Sequence, residues 1–321
     1  MLATYSPPAD EPKIEVLPAK AQVVLANGRM ASLAELSGEA LAALQWEQEQ
    51  QFARAIMTCR KGSRERVVVI GQAYDTICTI LSAQAADAGQ PLVMGLDHRY
   101  VRLVLRLLRQ QSDRRHGEPR LFEVGYGCGA LLAQVLVHGY SVGGIEVSAI
   151  MREQAIELLG QRHAASLLLG DLRGVDADSL AGRPTLIYWN DVLEHIPPDE
   201  LGDYLEHIHR LLAPGGALVT ITPHWLLRPS DVTGDFCPPR TEARGLHLKE
   251  YRLAEVTRLV RQAGFRRVVT PLLATHQRLV VWGGGGRQVK QWVEPWLDRL
   301  PVRPAHLLCR GLAMNATIAW K

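Results

Sequence analysis

Residues Leu121 to Gly129 read Leu-Phe-Glu-Val-Gly-Tyr-Gly-Cys-Gly, and no other stretch of the chain narrows the fold as much. An apolar run ends beside a carboxylate, three glycines alternate through the turn, and helical text (ALLAQVLV) follows. Glycine is needed where main chain must take positive φ or lie against a ligand. The N–H groups that open the next helix have no partner inside it, so this end is suited to a ligand's carboxylate or phosphate. Beyond the turn, strand-like segments (YSVGGIEV, ASLLLGD, TLIYWND, ALVTITP) alternate with helical ones (AIMREQAIELLGQR, ELGDYLEHIHRLL, LKEYRLAEVTRLVRQAG). That alternation predicts an α/β fold of βαβ units around a mostly parallel sheet. RRVVTPL, QRLVVW and NATIAWK read as closing strands, with the Gly283–Gly286 run as a flexible joint among them.

The ends of the strands carry the chemistry. Glu123 stands before the glycine turn, Glu146 closes the next strand, Gly170-Asp171 the third and Asn190-Asp191 the fourth. Acidic or amide groups at successive carboxyl ends are what ligand binding at the edge of an open α/β sheet requires.

Composition bounds the remainder. With 321 residues, 47% hydrophobic and 21% charged, the chain is long and apolar enough to bury a sizeable core and is not a disordered polymer. Thirty-six Lys and Arg against 33 Asp and Glu leave a net charge of +3, too small in itself to predict nucleic-acid or acidic-membrane binding. No apolar run approaches the ~18 residues of a bilayer span, and the N-terminal MLATYSPPADEPK has no secretory pattern. Five scattered cysteines, none in a C-x-x-C pair, favour a reducing compartment. The expected location is the cytoplasm.

Three regions follow from texture. Residues 1–18, with Pro7, Pro8, Pro12 and Pro18, read as a flexible lead-in. Residues 19–118 read as a mainly helical cap, opened by a short hairpin at Val23–Leu25 and Asn27-Gly28. Leu41, Leu44, Phe52 and Ile56 mark one helix face there, and Trp46 is assigned to packing. Asp97 is an N-cap for a helix with Val101, Val104, Leu105 and Leu108 on one side and Arg99, Arg102, Arg106 and Arg109 on the other. A solvated face is the plainer account of those arginines, with phosphate binding the alternative. Residues 119–321 hold the α/β domain, interrupted at about 226–246 by a segment without regular pattern.

E-x-G-x-G-x-G, the acid after the second strand, the later G-D, Asn190-Asp191-Val192-Leu193-Glu194-His195-Ile196-Pro197 and L-A-P-G-G together resemble the class I S-adenosylmethionine-dependent methyltransferases. NDVLEHIP and HLKEYRLAEVTRLVRQAGF resemble the small-molecule branch that includes the ubiquinone-biosynthesis O-methyltransferases. The likeness covers roughly Arg120 to Lys321. It implies a Rossmann-like seven-stranded sheet of order 3-2-1-4-5-7-6, its last strand antiparallel. It further implies S-adenosyl-L-methionine as cofactor. On this likeness Glu123 sits near the methionine amino group, and Gly125, Tyr126, Gly127 and Gly129 form the turn against the cofactor. Glu146 holds the ribose hydroxyls, Val147 faces adenine, Asp171 and Leu172 meet the adenine amino edge, and the Asn190 carbonyl lies beside the sulfonium. A dinucleotide site is the competing account, but such sites prefer G-x-G-x-x-G, and Glu123 would repel a pyrophosphate while suiting an ammonium group.

Methyl transfer to a hydroxyl or amine needs alignment and a base. His195 is the leading candidate, four residues after Asp191, with His224 and His247 as rivals. The alternative for His195 is an architectural role in the L-E-H-I-P turn. No compact metal-ligand spacing is visible, so no metal is expected. The 226–246 segment reads as a lid over the substrate entrance, with Asp231, Phe236, Arg240 and Arg244 as contacts. Tyr74, Tyr100 and Tyr251 complete the candidate substrate contacts, and Asp75 and His98 are further residues to test. The expected partner is a small molecule, with neither nucleic acid nor membrane; the sequence leaves the oligomeric state open, a homodimer being the option considered. Methylation of RNA or protein, and a non-catalytic scaffold that binds the cofactor, are the alternative functions.

Overall fold

The computed structural model describes residues 22–88, 96–112, 118–284 and 286–321; the expected lead-in, residues 1–18, lies outside them. Strand β1 (Arg120–Val124) lies between β2 (Ser141–Glu146) and β4 (Leu186–Asn190), with β3 (Leu167–Leu169) outside β2, all parallel. On the other side β5 (Ala217–Ile221) runs parallel to β4. β7 (Ala316–Trp320) then inserts antiparallel between β5 and β6 (Arg267–Val269). The order 3-2-1-4-5-7-6 is the one the resemblance implies.

Period-two alternation builds the two sides of this sheet. Leu121, Tyr188, Val219 and Ile318 enter one core, where α3 (His98–Ser112) and α4 (Ala130–Val137) cover them. Their neighbours Phe122, Trp189, Leu218 and Ala319 enter the other, beneath α6 (Leu201–Leu211) and α7 (Leu253–Gln262). Trp189 is fully buried and its indole N–H donates to Thr220 Oγ1 at 2.6 Å, so the largest core side chain has no unpaired polar atom. α5 (Ala149–Leu159) links β2 to β3 and is capped by the Ser148 hydroxyl.

The helical N-terminal region divides. Helices α1 (Gly38–Thr58) and α2 (Arg64–Asp87), each opened by a serine N-cap, form a core of their own around Leu41, Phe52, Ile56, Ala73, Ile77 and Ile80. The expected hairpin pairs Gln22–Val24 with Met30–Ser32 on this cap. α3 belongs to the sheet instead, because its apolar stripe fits the groove beside α4. Three of its four stripe arginines serve the fold: Arg99 pairs with Asp97, Arg102 donates to Gln277 O and Arg106 to Val281 O. By length and composition α2 could cross a membrane. Here Ala73, Ile77 and Ile80 pack on α1, and Asp75 accepts hydrogen bonds from Ser148 Oγ (2.7 Å) and Ile150 N (3.4 Å).

Two elements depart from the expected pattern. Leu279–Val280 pairs with Leu273–Ala274 in a separate two-stranded ladder and does not extend the sheet. Residues read as part of a strand-and-joint region form two helices, α8 (Arg287–Leu297) and α9 (Val302–Gly311). Pro295 inside α8 and Pro304 in the first turn of α9 mask the helical text; proline is tolerated near a helix start because the missing N–H has no partner there anyway.

Candidate functional site

The carboxyl ends of β1, β2 and β4 meet helix α2 around a cleft of about 180 Å³. That is an order of magnitude above the roughly 10–15 Å³ one water needs, so the space suits an organic ligand. Glu123, Gly125, Tyr126, Gly127, Glu146, Val147, Leu172, Asn190, Tyr74 and His195 all line it. The fold thus gathers most of the expected cofactor residues from four separate strand ends.

Local chemistry explains each position. Gly125 has φ +69°, and a Cβ there would lie 2.5 Å from Val192 Cγ2, so only glycine allows this turn. Gly129 (φ +79°) is the N-cap of α4 behind the turn. The Tyr126 hydroxyl donates to Leu168 O at 2.9 Å and fixes the ring against β3. The Glu146 carboxylate accepts from the N–H groups of Gly127 (2.9 Å), Val147 (2.7 Å) and Ser148 (3.1 Å). Burial pushes its pKa up and those three bonds oppose the shift without cancelling it. A carboxylate has about four acceptor sites, which leaves one for a ligand hydroxyl. Asp171 departs from its expected role: Gly170 and Leu172 line the cleft, but the Asp171 carboxylate is clasped by Arg173, two residues later. Burial resists the charge there, yet the guanidinium holds the pKa below the usual carboxylate range.

Glu123 is buried, and its Oε2 has no hydrogen-bond partner. Burial, with the nearby Glu146 charge adding to it, pushes its carboxyl well above the ordinary range. A buried acceptor without a donor costs about 1–3 kcal/mol, and an ammonium group brought to it supplies both donor and opposite charge. With the glycine turn and Glu146, this donor-poor carboxylate fits the amino, main-chain and ribose contacts of S-adenosylmethionine.

At the far side of the cleft lies a polar cluster that the sequence only half disclosed. His195 donates from Nδ1 to Leu246 O at 2.9 Å, leaving the Nε2 lone pair free of that bond. Its ring meets Tyr74 edge-on at 5.6 Å and His247 at 4.7 Å. Burial, helped by the charge of His247, lowers the His195 pKa to about 3, so the imidazole is neutral. His247 moves the other way, to about 9: burial opposes protonation, but Glu250 at 3.1 Å and the charge of Glu194 outweigh it. Glu194 is fully buried, its Oε2 accepting from Thr222 Oγ1, and burial lifts its carboxyl to about 8. One ligand atom from each of Glu194, His195 and His247 lies within 4.8 Å of the others, a juxtaposition the spacing of the sequence does not display. A carboxylate inside the apolar Val-Leu-Glu-His-Ile run is the one signal that pointed to Glu194.

The other candidates lie elsewhere. His224 is buried beneath α8, its Nε2 donating to Glu294 Oε1 at 2.7 Å while Nδ1 accepts from Leu226 N, so both nitrogens are engaged away from the cleft. Tyr251 is buried under the Lys249 ammonium, and Tyr100 accepts from Asn315 Nδ2. Tyr100 lines a second cavity with Leu96, Asp97, Pro223 and Ser230, and that cavity shares Asn190 and Asp191 with the cleft. In the 226–246 segment, Arg240 donates to Leu300 O, Arg244 is exposed, Asp231 accepts from Thr233 and Gly245 N–H, and Phe236 stacks on Trp46 at 5.2 Å. The segment bears on α1 through the Phe236–Trp46 stack and a bond from Leu246 N to Glu49. None of these four side chains lines the cleft.

A family model described as a methyltransferase domain matches residues 95–270. The chain is 29% identical over 107 residues to the carboxy-S-adenosyl-L-methionine synthase of Chromohalobacter salexigens, a match over 31% of this chain and 38% of that relative, so it spans less than half the relative's length. Among solved structures it is similar to an S-adenosylmethionine-dependent methyltransferase from Archaeoglobus fulgidus (17% identity, 69% of this chain and 94% of the other, TM-score 0.41). It is also similar to the magnesium protoporphyrin IX methyltransferase of Synechocystis with bound S-adenosylhomocysteine (17%, 70% and 88%, TM-score 0.40). The family match covers more than half of the chain and contains the glycine turn, Glu146 and the His195 strand end. The chain belongs to the methyltransferase-domain family, the S-adenosylmethionine-dependent class that its sequence resembles.

Proposed function

We propose that the protein transfers a methyl group from S-adenosylmethionine to a hydroxyl or amine of a small molecule. The carrying observation is the buried, donor-less Oε2 of Glu123 beside the glycine turn. The cofactor, when bound, supplies an electrophilic methyl on a sulfonium, and the protein's task is alignment, water exclusion and proton removal. Glu123 receives the amino group, the Gly125–Gly129 main chain lies against the ligand, and Glu146 accepts from the ribose. Ile70, Tyr74 and Cys78 of α2 roof the cleft, which favours a small acceptor over a macromolecule. The cavity beside Tyr100 reaches the same strand end through Asn190 and Asp191 and is the acceptor's route.

His195 removes the acceptor proton at Nε2. Its neutral state and the Nδ1 bond to Leu246 O, which fixes the tautomer that leaves Nε2 as an acceptor, support this role. Titration calorimetry with S-adenosylmethionine and S-adenosylhomocysteine tests the reading. Binding in the micromolar range is expected, with none for NAD; absence of both nucleosides at millimolar concentration, or preferential NAD binding, overturns it.

A further inference from the structure

Helix α8 is built inside out. Its buried face carries Lys290 and Glu294 with Leu297, while Val289, Trp292 and Trp296 face solvent at 65%, 71% and 53% exposure. The buried polar groups are matched: Lys290 donates to the carbonyls of Pro271 and Leu312, and Glu294 receives His224 and the Leu253 N–H. The inversion is therefore a stable arrangement that leaves an aromatic stripe on the outside. Leu307 and Leu308 of the adjoining α9 are exposed too. Isolated exposed apolar residues need no explanation, but a helix that turns its charges inward and its tryptophans outward does.

The charge around this stripe is as uneven as its polarity. Residues 256–321 hold eleven Lys and Arg against two acids, Glu294 and Asp298, a net +9, while residues 1–255 hold 25 against 31. Both acids are engaged, Glu294 as above and Asp298 with Arg252. On the flank of α8, Arg287 joins Arg258 and Arg261 of α7 in an open groove with Gln291. Arg299 stacks over the Trp296 ring at 4.8 Å. The near-neutral total conceals a cationic C-terminal segment, from which Arg258, Arg261 and Arg287 converge on one groove.

We propose that the α8–α9 face docks on an anionic phospholipid bilayer, with Val289, Trp292 and Trp296 in the headgroup–acyl boundary and the Arg258–Arg261–Arg287 groove on lipid phosphates. Tryptophan belongs at that boundary, and basic residues beside an apolar helix face are attracted to anionic leaflets. Aliphatic Val289 on the same helix and the exposed Leu307 and Leu308 of the adjoining one suit acyl chains better than nucleic-acid bases, which ask for stacking platforms alone. The proposal departs from the expectation, drawn from net charge, that no membrane is involved.

Vesicle co-sedimentation of the full chain tests it, using phosphatidylcholine alone and phosphatidylcholine with roughly a third phosphatidylglycerol. The wild type should sediment with the anionic vesicles at least tenfold more than with the neutral ones, and high salt should release it. Trp292→Ala/Trp296→Ala should lose at least tenfold of that binding, and Arg258→Gln/Arg261→Gln should lose the preference for anionic lipid. Val289→Asp provides a second disruption should the tryptophan pair perturb folding, which circular dichroism would reveal. Equal sedimentation with both vesicle types, unaltered binding by Val289→Asp, tighter binding to single-stranded RNA, or a dimer in light scattering that the tryptophan changes dissolve would each overturn the proposal.

Discussion

The imidazoles of His195 and His247 meet edge to face with centroids 4.7 Å apart, one held neutral and the other held protonated. Their opposite states follow from their surroundings: burial and the neighbouring His247 charge disfavour protonation of His195, while Glu250 and Glu194 favour it at His247.

That relationship sets a pH dependence. The His247 pKa is raised in the fold, so its stabilisation is complete below the unfolded value near 6.5 and is lost as pH rises through about 9. The shift corresponds to on the order of 3 kcal/mol. Thermal melting should show Tm falling between pH 7 and 10, and His247→Gln should flatten that slope; an unchanged slope would place the titrating group elsewhere.

Glu123→Gln separates folding from binding. Removing a charge that burial disfavours should leave the free protein's Tm unchanged or higher. Calorimetry should show S-adenosylmethionine binding weakened about tenfold or more, since a charge-assisted bond is worth ~1.5–3 kcal/mol. Glu146→Gln should weaken binding as well, but with a loss of Tm, because three main-chain donors lose an acceptor oxygen between them.

Gly125→Ala puts a Cβ against Val192 at a positive φ. Left-handed strain and overpacking together cost roughly 2–4 kcal/mol, a fall in Tm of roughly 3–6 °C for a chain of this length. Adding Val192→Ala should recover the steric share and leave the conformational share. Full recovery in the double variant would show that φ at this position is unstrained.

His195→Gln should lower kcat by ~10²–10⁴, the range of a general base, with cofactor affinity retained. His224→Gln should act on Tm instead, because it breaks a buried pair with Glu294. A loss confined to activity in the His224 variant would reverse the two assignments.

The sheet was legible because strand ends, glycines and acids lie close together in sequence and obey short periods. The strand–helix alternation and the acids at the strand ends follow from that local text, whereas the strand order and the antiparallel last strand came from the family resemblance. Contacts over long separations were not legible: His195 and His247 are brought together by the segment after β5, and His224 meets Glu294 from α8. The Asp171 outcome was within reach, since an arginine two residues on can fold back to a carboxylate, but adjacency alone does not say which partner wins. α8 and α9 escaped because prolines lie in both and because burying Lys290 and Glu294 contradicts the usual apolar-in pattern.

Ser148 donates a hydrogen bond from its hydroxyl to Asp75 of the cap while the same oxygen accepts from Met151 N at the start of α5, two residues after Glu146. In the proposed function, the helix that roofs the acceptor is thus bolted to the strand assigned to the donor's sugar. A chain of this design cannot easily exchange its roof for a new acceptor without retuning its hold on the donor, so acceptor choice and donor affinity should drift together among its descendants.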